Sequence, residues 1–285
     1  MTSGHPETLN PPLRPPSQSG GAPRTLVARA PGSTAPAWPS FTGTAQQVGT
    51  SSTAVTVYVD PSLGAPGLQN ANDLLAGADG VVQKNNAIFA TSGGPVSVIV
   101  FALNGATDGT GGADHGGCDF ATGNAIEVDA AFGDSNRVLA LFEAELSECA
   151  MNGRLCGVST GEALSRWCAA AVSANALADF ATAPQWAQDG MANWVDQTEQ
   201  TDGGADSTGC GMAFLSWLLS QQHSLGQIAQ AMVALGDSGT LAALYAQLTQ
   251  NAATGAWASF SAAVQALPNG VTSDDPFNGM AFTGV

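Results

Sequence analysis

The stretch F-E-A-E-L-S-E-C-A-M-N-G-R-L-C-G-V-S-T-G-E-A-L-S-R, residues Phe142 to Arg166, decides how the rest of the chain is read. It divides into two helix candidates joined by a short turn containing Gly153, Cys156 and Gly157. Residues three apart share a helix face, so Glu145 and Glu148 lie side by side, together with Leu141 and Cys149. That company makes the face apolar and inward. A carboxylate on an inward face must be paired, bound to a metal or protonated, because an isolated buried charge is too costly. Glu162, on the second helix candidate, is expected to join the pair.

Working outward, the residues before Phe142 read as strands and those after Arg166 as helices. A-V-T-V-Y-V-D, ending at Asp60-Pro61, and P-V-S-V-I-V-F-A-L, from Pro95 to Leu103, are β-branched runs of strand length. A-I-E-V-D-A-A-F, from Ala125 to Phe132, is a third. Residues 68–90 repeat apolar side chains at helical spacing, with Gly77 and Gly80 expected to break or bend the helix. The Gly-rich loop after Asn104 contains neither G-x-G-x-x-G nor the Lys-Ser/Thr of a phosphate loop. From about residue 136 the spacing predicts helices over 136–151, 161–175, 176–182, 210–222, 224–235, 238–249 and 254–266. Asp134 or Ser135 is the expected cap of the first. Strands followed by helices make the chain α+β, a small N-terminal sheet before a mostly helical C-terminal half. Residues 1–51, rich in Pro, Gly, Ser and Thr, are expected to be a disordered tail, with one domain over 52–285.

Charge narrows the function. The 285 residues carry a net charge of −16 because cations are scarce, not because acids are abundant. Lys84 is the single lysine, and Arg14, Arg24 and Arg29 fall in the tail. No basic surface for nucleic acid or for an anionic membrane can be assembled. No run of eighteen apolar residues predicts a membrane span, and no basic-then-apolar leader opens the chain. These features leave the compartment unassigned. Five cysteines, without a C-x-x-C, fit buried thiols or one or two disulfides, with at least one left over in a monomer.

A-E-L-S-E, Ala144 to Glu148, followed by G-E-A-L-S-R, Gly161 to Arg166, resembles the gluzincin clan of zinc peptidases, whose fold is thermolysin-like. That clan places H-E-x-x-H on one helix and its third ligand, a Glu, on the next. The resemblance extends over roughly residues 95–235. It takes in the edge strand and turn before the first motif helix, and the stretch from Asp202 that opens a later one. It implies a zincin-like fold, a peptide or polymer substrate, Glu145 as general base and Glu162 as third ligand. Ala144 stands where the first His belongs and Glu148 where the second does. Asp206 or Ala205 replaces the His that stabilises the transition state. His115 and His223 are the only histidines beyond the tail, so a two-His zinc site of clan type cannot form.

Three outcomes follow. Glu148, Glu162 and His115 could hold a divalent metal ion, for which so oxygen-rich a set suits Ca²⁺ or Mn²⁺ better than Zn²⁺. Alternatively Arg166, four residues after Glu162, neutralises Glu162 and Glu148 through bidentate bonds, leaving a metal-free ion-pair cluster and a non-catalytic relative that binds peptide or glycan. A third reading takes G-V-S-T-G, Gly157 to Gly161, as a serine esterase elbow. Ser159 is then the nucleophile, His115-Gly116-Gly117 the oxyanion loop and His223 the base, in Ser…Asp…His order through Asp189, Asp196 or Asp202. Against it, no strand precedes Ser159, which reads equally well, with Thr160, as a helix cap.

Overall fold

The computed structural model describes residues 35–282. The part of the expected tail before residue 35 lies outside the described residues. The remainder of that tail, residues 35–51, packs with the sheet and contains a strand, Gln46–Thr50.

Five strands form one mixed sheet: β1 (Gln46–Thr50), β2 (Val55–Val59), β3 (Val96–Phe101), β4 (Ala113–His115) and β5 (Ala125–Asp129). Their order is β1-β2-β3-β5-β4. β2, β3 and β5 run parallel, while β1 and β4 close the two edges antiparallel. Helix α1 (Gly64–Phe89) makes the crossover between β2 and β3, as parallel neighbours require.

The central strands read as unbroken apolar runs because both of their faces are covered. Val96, Val98 and Val100 point into a core shared with α1, while the alternating Ile99 and Phe101 point the other way. There they meet Ala35, Trp38, Phe41 and Ala45. Glu127 of β5, fully buried, accepts bonds from Ser40 N, Ser40 Oγ and Phe41 N and so fastens this segment to the sheet. Composition concealed the segment's role: its few aromatics pack, with Leu103, on this face of the sheet.

Helix α1 passes through Gly77 and Gly80 as one continuous element. Gly77 serves close packing instead of a bend, because a Cβ there would lie 2.6 Å from Leu139 Cδ2. Leu139 belongs to α2 (Ser135–Ala150), which Asp134 caps through its side chain to Arg137 N. The chain then turns into α3 (Ser159–Val172), α4 (Ala183–Gln188), α5 (Ala205–Ser220), α6 (Leu225–Leu235), α7 (Leu241–Thr249) and α8 (Ala256–Gln265). The helix expected over 176–182 is a 3-10 turn, Ala178–Phe180. The α2–α3 pair stands between two cores. Val138, Leu141, Phe142 and Leu146 of α2 pack on the sheet, and Leu164, Trp167 and Cys168 of α3 pack on the helical half. Among the described residues no helix is long and apolar enough to cross a membrane.

Candidate functional site

The joint between the two cores is polar. β4 is held against β5 in antiparallel register, His115 opposite Ile126, and this edge pairing delivers the imidazole to α2. His115 Nε2 lies 2.8 Å from Glu148 Oε2 and 3.7 Å from Glu145 Oε2. The loop after β4 is stitched to the end of α2 at three points: the Cys118–Cys156 disulfide, Gly153 N donating to Cys118 O, and Cys149 Sγ donating to Gly123 O. One disulfide therefore forms, and Cys149, Cys168 and Cys210 are buried free thiols. Burial pushes the Cys210 thiol up to about 12. It raises Cys149 and Cys168 as well, with nearby carboxylates adding to the effect. All three are inert as nucleophiles.

Glu162 sits in the first turn of α3, where the helix dipole favours a carboxylate. Its Oε1 accepts from Arg166 Nε at 2.7 Å, and Arg166 Nη1 donates to Phe180 O at 2.6 Å. Glu162 is 2 % and Arg166 5 % exposed. The guanidinium thus reaches one carboxylate and one carbonyl, in place of the bidentate grip expected on Glu162 and Glu148. Burial raises the Glu162 carboxyl above its ordinary range; Arg166 opposes this and the nearby charges of Glu148 and Asp202 reinforce it. Desolvation therefore outweighs the ion pair in setting this carboxyl.

A ring nitrogen of His115, a carboxylate oxygen of Glu148 and Sγ of Cys156 lie within 4.8 Å of one another. Glu162 is outside that set, with its carboxylate held by Arg166. The residues do not fit the zinc of a gluzincin: Ala144 offers only a methyl group, and the third-ligand position is in an ion pair. Asp206, expected with Ala205 as the replacement for the clan's transition-state His, sits in the first turn of α5 with its carboxyl raised by burial and then by Asp189.

The esterase elbow is not built. Residues 151–158 before Ser159 form turns, and the nearest preceding strand, β5, ends at Asp129. Ser159 Oγ accepts from Glu199 N at 3.2 Å, and no hydrogen bond joins it to His223 among the described residues. Nor does Ser159 or Thr160 cap α3, whose N-cap is Val158 without a side-chain bond. Trp186 stacks on Phe260, and Trp217 on Tyr245, as core packing.

Sequence reading missed a third buried acid on α2. Glu143 is fully buried and faces α1, where Asn85 Nδ2 donates to its Oε1 at 3.2 Å. Burial raises its carboxyl well above the usual range, with Asn85 and Lys84 opposing. The signal was present in F-E-A-E-L-S-E: no helix of that stretch can turn three glutamates to solvent while burying Phe142, Leu146 and Cys149. Compared with protein-family models, curated proteins and solved structures, the chain matches none.

Proposed function

We propose that this chain is a zincin-like protein of metallopeptidase ancestry that has lost its zinc site and binds peptide without cleaving it. The order of elements supports the ancestry. An antiparallel edge strand and a central strand precede the first motif helix, a turn leads to the second, and a later helix opens after Asp202. The observation that carries the loss of catalysis is the Arg166–Glu162 pair, 2.7 Å apart and shut away from water at the third-ligand position. Glu145, the base position, is only 2 % exposed, and a general base must come within hydrogen-bond reach of the water it activates. A cavity of about 500 Å³ adjoins the pair and is lined by Arg166, Trp167, Leu177, Phe180, Met212 and Met280, among others. Asn175, Asp274, Asp275 and Asn278 also line it, and such a mixed wall of apolar side chains and fixed polar groups suits a short peptide segment.

The test is incubation of the disulfide-bonded protein with a peptide library. Bound peptides should be recovered intact. Ala178→Trp, which fills the cavity from its exposed rim, should abolish binding, and Glu145→Gln should leave it unchanged. Cleavage that Glu145→Gln abolishes would overturn this reading in favour of the second one: a hydrolase with Glu145 as base and a divalent cation on His115 and Glu148. That alternative is favoured by the approach of one imidazole nitrogen to both carboxylates.

A further inference from the structure

We propose that reduction of the Cys118–Cys156 disulfide creates a zinc site from Cys156, His115 and Glu148. The inference rests on the placement of these three groups and on neither the Arg166–Glu162 pair nor the peptide cavity. In the disulfide-bonded protein Cys156 Sγ has no thiolate to offer, and two ligands remain. Reduction changes the donor set without moving an element, because the sulfur already lies within 4.8 Å of the imidazole nitrogen and the carboxylate oxygen.

Zn–N and Zn–O bonds of about 2.0–2.1 Å and a Zn–S bond of about 2.3 Å put tetrahedral ligand atoms roughly 3.3–3.8 Å apart. Drawing the sulfur in by up to about 1–1.5 Å, and opening the 2.8 Å approach of His115 Nε2 to Glu148 Oε2 by about 0.5 Å, complete the set. Cys156 can supply the first movement by side-chain rotation once it is released from Cys118. Its place in the turn between α2 and α3 leaves that rotation open. Glu145 Oε2, 3.7 Å from His115 Nε2, stands within reach of the fourth position. His115 Nε2, the ring nitrogen turned towards both carboxylates, is the atom that would ligate. One thiolate, one imidazole and one or two carboxylates is a donor set for Zn²⁺, in contrast to the all-oxygen sets of Ca²⁺.

The chemistry balances with a dithiol or phosphine reductant. The reductant supplies two electrons, the S–S bond breaks, and two protons from solvent or the dithiol give the Cys118 and Cys156 thiols. A dithiol leaves as its own disulfide; a phosphine leaves as its oxide, with one water supplying the oxygen and both thiol protons. Zn²⁺ then displaces the proton of Cys156, so binding releases about one proton and tightens as pH rises.

The experiment titrates Zn²⁺ into the full chain against a chromophoric chelator, before and after phosphine reduction and anaerobic desalting. Reduced protein should take up one equivalent at least 100-fold more tightly than oxidised protein. Reduced Cys156→Ser and His115→Ala should each lose that gain. Cys118→Ser, whose Cys156 is free without reductant, should bind as tightly as the reduced wild type. Co²⁺ in place of Zn²⁺ should give a thiolate charge-transfer band that Cys156→Ser lacks. Equal binding before and after reduction, or tight binding in reduced Cys156→Ser, would overturn the proposal. So would loss of near-ultraviolet circular dichroism on reduction that Zn²⁺ fails to restore, since the site needs the folded loop. Peptide binding by the oxidised protein is untouched by any of these results.

Discussion

Two buried glutamates on neighbouring helices meet different partners, and their substitutions should differ in consequence. Glu143 faces a neutral amide, and burial raises its carboxyl well above the usual range. Glu143→Gln keeps the shape and removes the group that burial disfavours when charged, so stability in urea should stay within about 1 kcal/mol of wild type. Glu162 faces Arg166. Arg166→Leu strands a carboxylate beside Glu148 and Asp202, and at neutral pH it should cost about 3–5 kcal/mol, the usual result of breaking a buried pair from one side. Glu162→Gln together with Arg166→Leu should recover much of that loss, and a double-mutant cycle would read the recovery directly. A loss from Arg166→Leu below about 1 kcal/mol would show the pair to be solvated, which would remove the main support for the lost-site reading.

Helices and strands whose signal is local were legible in the sequence; those formed by distant partners were not. β2, β3, β5, α1 and α2 carry their own apolar periodicity. β4 is three residues inside a Gly-rich loop and is a strand only because β5 pairs with it. β1, Q-Q-V-G-T, is half exposed and polar, and it is set by its register with β2. α4 has six residues, and the backbone N–H groups at its start, Thr182 N and Ala183 N, are satisfied by Asp274, about ninety residues away. The same limit applied to the site. Glu145, Glu148 and Glu162 could be placed by helical spacing, whereas the imidazole that meets two of them arrives from a loop no periodicity describes. Close packing between elements is equally hidden. Gly211 of α5 faces α3, where a Cβ would lie 2.8 Å from Ala163 Cβ. Gly→Ala inside a helix ordinarily stabilises by about 1 kcal/mol. Here overpacking, about 1–3 kcal/mol, should reverse the sign. Gly211→Ala should therefore lower the urea midpoint, and a raised midpoint would mean that α3 and α5 can slide apart freely. At the start of α2, Asp134→Ala removes the cap on the helix that carries Glu145 and Glu148 and should cost about 1 kcal/mol in the same assay.

Across the whole molecule the buried acids set an unusual dependence on pH. Burial raises Glu127, Glu143, Glu162 and Asp274, and it pushes Asp129 up to about 6 although Leu103 N and Gly111 N donate to it. The folded state therefore keeps protons that the unfolded chain has already released at the same pH. Stability is greatest below the pH at which these groups ionise in the folded state, and it falls as pH climbs from about 4 through 6 and beyond, with protons released on unfolding. Asp79, Asp108 and Asp119 are shifted the other way by hydroxyl and backbone donors, but they lie on the surface, where the effect on stability is screened. The net charge of −16 adds self-repulsion that also grows with pH. Thermal unfolding at constant ionic strength should accordingly show a higher Tm at pH 5 than at pH 8, by about 2–4 °C for each kcal/mol the buried acids contribute. Asp129→Asn should flatten part of that slope, because an amide keeps the shape and loses the titration. A carboxylate held ionised by a partner such as Arg166 would behave differently: charged in both states from pH 5 to pH 8, it would add no slope there, so a Tm flat across that range would show that burial does not raise these acids.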